Sequence, residues 1–287
     1  MKLVSFGERG RERPGVIVGE RVLDLCAAAP DLPTTVRGII AQGLLGRVRE
    51  LAITASLFPA DAFERAADVR LGPPVTNPSK IICLGLNYRD HAEEQNRDLP
   101  STPLVFSKGP NALCGRGDTV PYPRGVAEFD YEVELAFVIG RRAWRVDEAT
   151  AMDHVAGYGV FMDLSARDLQ RSERQWFRAK SVDGSGPFGP WLVTADDVGD
   201  PHHLDISLDV NGETLQSSNT AQLVFKVGYL VHYLSQTMTL EPGDTIATGT
   251  PGGVGVFRDP PRFLGPGDRI TGRIAGLGEL TCTIGEG

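Results

Sequence analysis

The chain has 287 residues, 41% of them hydrophobic and 23% charged, enough apolar material for one large domain or a large one with a small one. Its net charge of −8 argues against nucleic acid or an anionic membrane surface as the main partner. No apolar run approaches the roughly 18 residues of a bilayer span, and the start "MKLVSFGERGRERPG" lacks the apolar stretch of a signal peptide. Cys26, Cys83, Cys114 and Cys282 are too scattered for a zinc knuckle or a disulfide framework. A soluble protein of the reducing cytoplasm is expected.

In chain order, "KLVSF" and "GVIVGERVLDL" predict strands joined by the polar turn "GERGRERP". "TTVRGIIAQGLLGRVRELA" carries apolar residues at helical spacing, with Thr34 or Thr35 as N-cap. "LGPPVTNPSK" packs three prolines and a glycine into ten residues, which cannot continue a helix and resembles a domain boundary. The expected division is a small N-terminal α+β domain over residues 1–74 and a larger domain over 75–287.

After that boundary the chain is strand-rich and punctuated by Gly and Pro. "KIICLGLNY", "TPLVFSK", "YEVELAFVIG" and "HVAGYGVFMDLS" have strand length, the last with some helical character at its start. "LDISLDVNGETLQ" alternates around Asn211-Gly212, a two-residue hairpin signal. "TAQLVFKVGYLVHYLSQTMTLEPGD" carries a helical stripe expected to run until Pro242. Gly-Asp-x-Val/Ile recurs at Gly117, Gly243 and Gly267, and predicts a turn feeding a strand each time. A β-rich α+β roll or barrel with peripheral helices follows from these elements.

Within "FDYEVELAFVIG", Glu132 and Glu134 project to one side of a strand because side chains alternate with period two. Two carboxylates so close repel each other and lose hydration beside apolar neighbours. A solvated edge strand would relieve them, but "LAFVIG" follows directly. A hard divalent cation such as Mg²⁺ would also neutralise them, and Asp163, at the end of an apolar strand, is a candidate third oxygen donor. If a helix starts at Asp163, then Asp163, Arg167 and Gln170 share a face that suits an anionic, oxygen-rich ligand. The alternative is an ordinary Asp–Arg pair within the helix. Lys180 precedes a glycine-rich stretch and alone reads as a surface lysine. In "GLNYRDHAEEQNRDLP", His91 and Glu94 are three apart, so on a helical turn the carboxylate can orient the imidazole as a base; a solvated polar loop fits the residue types equally. "GTPGGVGV" lacks the Gly-Lys-Ser/Thr of a phosphate loop. His203-Leu204-Asp205 with His232 is a weak iron-site pattern at the start of an ordinary hairpin.

The motifs "KIICLGLNYRDHAEE", "DYEVELAFVIG", "AGYGVFMDLSARDLQ", "AKSVDG…GPFGPWLVT", "VNGETLQSSNT" and "PGDTIATGTPGGVGVF" occur in this order from Lys80 onward. Together they resemble the fumarylacetoacetate hydrolase (FAH) superfamily. The resemblance implies a mixed β-roll catalytic domain, a homodimer, and Mg²⁺ or Mn²⁺ held by Glu132, Glu134 and Asp163. It further implies Lys180 beside the substrate, an acid–base pair of His91 and Glu94, and Arg167, Gln170 and Thr250 near the ligand. The partner it implies is a small 2-oxo acid. The expected reaction is C–C hydrolysis of an acylpyruvate: His91 takes a proton from water, which attacks the remote carbonyl while the metal and Lys180 stabilise an enolate. Without that water the same chemistry gives oxaloacetate tautomerisation or decarboxylation, or isomerisation of the 5-carboxymethyl-2-hydroxymuconate type. A non-catalytic metal-binding module is the remaining alternative. Two departures from the family pattern bear on which substrate the site takes: Met162 before Asp163 removes a hydrogen-bonding group, and the added glycines of residues 184–189 change the pocket wall.

Overall fold

A computed structural model describes residues 1–287. Two sheets dominate it. The larger has 11 strands of mixed direction, and at its centre Val133–Ile139 pairs antiparallel with Val155–Met162. The smaller has five strands and contains the hairpin Asp205–Val210/Glu213–Asn219, turned at Asn211 and Gly212, both with positive φ. This is the primed turn that an Asn-Gly pair favours.

The strand Val133–Ile139 shows how alternation builds the interior. Val133, Leu135, Phe137 and Ile139 face a 40-residue apolar core that includes Ile206, Leu208 and Ile270 of the smaller sheet. Ala136 and Val138 face a second core of 23 residues, shared with the N-terminal Leu3, Val16, Ile39 and Val48. Glu132 and Glu134 continue that second face by parity. The expected long strand is in fact broken: Phe129–Asp130 is a separate short strand pairing with Ser165–Ala166.

The first strand, Lys2–Phe6, pairs with Gly186–Thr194, so the large sheet runs without a gap from the N-terminal segment into the rest of the chain. Thr35 caps the helix Val36–Ala41 by accepting from Gly38 N–H. The helical stretch after it is two helices, the second Leu45–Ile53, divided at Gly43 with φ +70. In the later stripe Thr220–Gln222 is a single 3-10 turn and the α-helix covers only Val227–Ser235, stopping well before Pro242. Its end is closed by Thr237 and Met238 N–H, which both donate to Leu234 O, so the proline is not what ends it.

The recurrent Gly-Asp turns share one geometry. Gly117, Gly243 and Gly267 all have positive φ. Each following aspartate accepts the N–H three residues back, Asp118 from Gly115, Asp244 from Glu241 and Asp268 from Gly265, all at 2.8 Å. The strands Thr119–Pro121, Thr245–Ala247 and Arg269–Ile274 start immediately after. No helix is long and apolar enough to cross a membrane.

Candidate active site

Where the strand Val133–Ile139 begins and Val155–Met162 ends, Glu132, Glu134 and Asp163 converge, with ligand oxygens all within 4.8 Å of one another. All three are buried, at 5%, 1% and 0% exposure. Asp163 N–H donates to Glu132 O at 2.9 Å, which fixes the two strand ends together. Burial alone would keep these groups neutral. Three cationic side chains oppose it. Lys180 Nζ lies 2.7 Å from both Glu132 Oε2 and Asp163 Oδ2, Lys108 Nζ lies 2.7 Å from Asp163 Oδ1, and Arg167 donates to Glu132 Oε1 at 2.6 Å.

The consequences differ between the two glutamates. Burial raises the Glu132 carboxyl, but Lys180 and Arg167 outweigh it and hold the group at about 2. Glu134 is driven well above the carboxylate range by burial, then by the charges of Asp163 and Glu132. Its hydrogen bond is from Gly249 N–H to Oε2 at 2.8 Å, and no cationic side chain pairs with it. Four buried carboxylates, counting Asp130, therefore face three cations, and Glu134 is the uncompensated one.

Arg167 does not pair with Asp163. The helix is Arg167–Ser172, and Asp163 precedes it, separated by the strand Ser165–Ala166. The expected i, i+4 face from Asp163 thus does not exist. Arg167 instead reaches Asp130 Oδ2 at 2.8 Å through Nε and Gln170 Oε1 at 3.0 Å through Nη1. Thr250 Oγ1 donates to Val133 O at 2.9 Å and accepts from Gln216 Nε2 at 2.8 Å.

His91 and Glu94 lie on the helix Arg89–Glu94, where three-residue spacing brings Nδ1 to 3.0 Å from Glu94 Oε2. His91 itself is buried. It shares with Glu132, Glu134, Arg167, Gln170, Lys180 and Thr250 one cavity of about 330 Å³. Apolar walls come from Leu84, Phe106, Trp176 and Phe257, and Arg97 and Arg171 stand among its lining residues.

The glycine-rich segment 249–256, which cannot be a phosphate loop by sequence, turns its amides on the protein's own carboxylates. Gly249 N–H donates to Glu134, Gly253 N–H to Glu94, and Gly255 and Val256 N–H to Asp130. Successive amides form a cradle for negative charge, and here four of them hold three carboxyl groups at or beside the site. Lys108, Asp130, Gln95 and Arg97 were not singled out by sequence reasoning. Only Gln95 had a legible signal, its i, i+4 spacing from His91.

Met162 lies on the opposite side of its strand, in the large apolar core beside Gly272, and is not part of the cavity wall. The glycine stretch acts from behind: a Cβ on Gly186 would stand 3.2 Å from Lys108 Cε. His203 is exposed beside Asp200, and His232 Nδ1 bonds Val146 O, so the iron-site pattern is not assembled.

Residues 80–285 match the family model described as fumarylacetoacetate (FAA) hydrolase C-terminal. The chain belongs to the fumarylacetoacetate hydrolase family. It is 47% identical over 267 residues to the mitochondrial oxaloacetate tautomerase FAHD2A of Bos taurus, covering 91% of this chain and 83% of that one. The FAH fold is equally plain in solved structures. The fumarylacetoacetate hydrolase of Exiguobacterium antarcticum superposes with a TM-score of 0.85 at 35% identity, covering all of both chains. The maleylpyruvate hydrolase of Sphingobium sp. SYK-6, in complex with manganese(II) and pyruvate, does so with 0.79 at 32% identity, again over all of both chains. Family membership makes this chain one of a group of enzymes named for tautomerase and hydrolase reactions.

Proposed function

We propose that this FAH-family chain is a divalent-metal-dependent tautomerase of 2-oxo dicarboxylic acids, exchanging the enol and keto forms of an oxaloacetate-type substrate. The observation that carries the reading is one cavity lined by Glu132 and Glu134 of the carboxylate cluster and by His91, the imidazole that Glu94 orients. The relative named oxaloacetate tautomerase, at 47% identity, supports it. It places proton transfer ahead of the C–C hydrolysis that the sequence motifs put first.

The donor set suits Mg²⁺ or Mn²⁺. Three buried carboxyl groups offer hard oxygens, and no cationic side chain pairs with Glu134. Glu132, Glu134 and Asp163 would hold the ion, which when bound supplies a Lewis acid for negative charge on the 2-oxo oxygen. The chain's own groups do the rest. Glu94 accepts from His91 Nδ1, which leaves Nε2 to take a proton from C3 of the keto form or return it. An ammonium has three N–H bonds; Lys180 uses two on Glu132 and Asp163, and the third serves the oxygen on which charge develops. The guanidinium of Arg97 lines the cavity and has no ion-pair partner. A second substrate carboxylate, which oxaloacetate has and an acylpyruvate lacks, would use it.

A UV time course of the enol absorbance of oxaloacetate, with Mg²⁺, Mn²⁺ or EDTA, tests the assignment. Metal-dependent decay without pyruvate release is the expected result. Pyruvate formed at the same rate would reassign the reaction to decarboxylation, and no acceleration with either metal would refute the proposal. His91→Ala should bind metal normally but lower the rate about 10²–10⁴-fold, as loss of a general base does. C–C hydrolysis is the second reading, favoured by the relative named maleylpyruvate hydrolase.

A further inference from the structure

One edge strand connects the mouth of the cavity to its charged floor. The strand Leu104–Lys108 puts Leu104, Phe106 and Lys108 on one face, because alternate side chains share a face. Lys108 is buried against Asp163, whereas Leu104 is 44% exposed. Phe106 stands between them, and the Lys180 ammonium lies over its ring, 4.9 Å from the centroid. Trp176 packs on Phe106 edge to face, with ring centroids 5.4 Å apart. Trp176 and Leu104 meet over the neighbouring strand at Gly85, where a Cβ would stand 3.3 Å from the indole and 2.9 Å from Leu104. Leu104, Phe106 and Trp176 all line the cavity. They form an apolar strip that runs from the exposed Leu104 to the ammonium paired with Glu132 and Asp163.

We infer that this strip is a binding subsite, and that the substrate is a 2-oxo dicarboxylic acid carrying an apolar group on C3. This rests on the proposed tautomerase reading and narrows its substrate class. Oxaloacetate consists of two carboxylates, a carbonyl and one CH₂, so it gives three large apolar side chains almost nothing to bury. Its skeleton leaves one place for an apolar group. C3 carries two hydrogens, and tautomerisation uses one: the C3–H bond breaks, its electron pair forms the C2–C3 double bond, and the 2-oxo oxygen takes a proton. Replacing the other hydrogen leaves that step intact. Phe106 is the apolar side chain against Lys180, the cation assigned to the 2-oxo oxygen, so a group on C3, one bond from C2, meets the strip at its inner end. A longer group extends along Trp176 toward Leu104, and each carbon it removes from water adds binding in proportion to the area covered.

The test is a series of oxaloacetates with hydrogen, methyl, ethyl or propyl on C3, each followed by its enol absorbance with Mg²⁺. For the wild type, kcat/KM divided by the uncatalysed rate of the same compound should rise about threefold or more with each buried CH₂. A flat or falling series would overturn the subsite. Trp176→Ala removes the middle of the strip and should lower the propyl-to-hydrogen ratio about tenfold, the scale on which an apolar pocket discriminates. Trp176→Phe keeps a ring in place and should hold that ratio within about threefold of wild type. Loss of folded enzyme scales both rates equally, so the ratio reports the wall alone, and a ratio unchanged in Trp176→Ala would overturn the assignment. A wild type that tautomerises no member of the series would instead refute the tautomerase reading beneath it. Turnover of oxaloacetate without any gain from the alkyl groups would overturn the subsite alone.

Discussion

The Gly253 N–H donates to Glu94 Oε1 at 2.9 Å, on the side of the carboxylate away from His91. Glu94 is thereby held between a loop amide and the imidazole it orients. Only glycine suits this position. Its φ is +98, and a Cβ would stand 2.3 Å from Leu215 O. Gly253→Ala should therefore shift the loop, release Glu94 and loosen His91. A fall in kcat of about 10–100-fold with unchanged Mg²⁺ affinity is expected, the scale of an ångström-sized misplacement. Steady-state kinetics and calorimetric titration together decide it, and an unaltered kcat would mean that Glu94 needs no loop.

Glu134 and Asp163 should part company in stability measurements although both are assigned to the metal. Asp163 is the carboxylate partner of the fully buried Lys108. Its replacement by alanine strands that ammonium and should cost about 3–5 kcal/mol, as loss of one partner from a buried pair does. Glu134 has no ion-pair partner and burial favours its neutral form, so Glu134→Gln changes little in the metal-free protein and keeps an acceptor for Gly249 N–H. In EDTA its Tm should equal or exceed that of the wild type. Mg²⁺ should raise the wild-type Tm by linkage and leave both variants unmoved.

Arg97 gives a handle on substrate class. Arg97→Ala should raise KM for oxaloacetate about tenfold, the size of one charge-assisted hydrogen bond. KM for acetylpyruvate, which lacks the second carboxylate, should stay within twofold of wild type by the same argument. Parallel increases for both substrates would remove Arg97 from recognition of the second carboxylate.

The N-terminal segment is tied to the remainder by Arg70, which pairs with Glu12 at 2.8 Å and with Asp118 at 2.6 Å. Burial pushes the Asp118 carboxyl up, but the Arg70 hydrogen bond and the Gly115 N–H prevail, and its pKa falls below the ordinary 3.8. A carboxyl depressed on folding adds stability that is complete above its unfolded pKa and lost as pH falls through the folded one. Asp118→Asn should thus be less stable than wild type at pH 7 by about 1–3 kcal/mol, the range for a partly buried charged hydrogen bond. In urea titrations the gap should narrow only below the ordinary 3.8. A gap that is constant through acid pH would exclude this ion pair as its source.

Much of the site was legible because its signals are local. Period-two spacing put Glu132 and Glu134 on one face, and a helical turn joined His91 to Glu94. The Asn211-Gly212 hairpin, the Thr35 cap and the three Gly-Asp turns were readable for the same reason, since each bonds within a few residues. The assumed helix from Asp163 failed because the chain first spends two residues pairing Ser165–Ala166 with Phe129–Asp130. Met162 was weighed as a pocket residue, yet strand alternation turns it into the core while its neighbour Asp163 meets the carboxylates.

What the amino-acid order determined by itself was which carboxylates share a face, which histidine has an acid beside it, and the motif series of the FAH family. What only the tertiary structure decided was how those charges are tolerated. Lys108 meets Asp163 across 55 residues and Gly253 meets Glu94 across 159. A buried lysine and a loop glycine look ordinary in sequence, because compensation of charge depends on distance in space, and periodicity reports only neighbours along the chain.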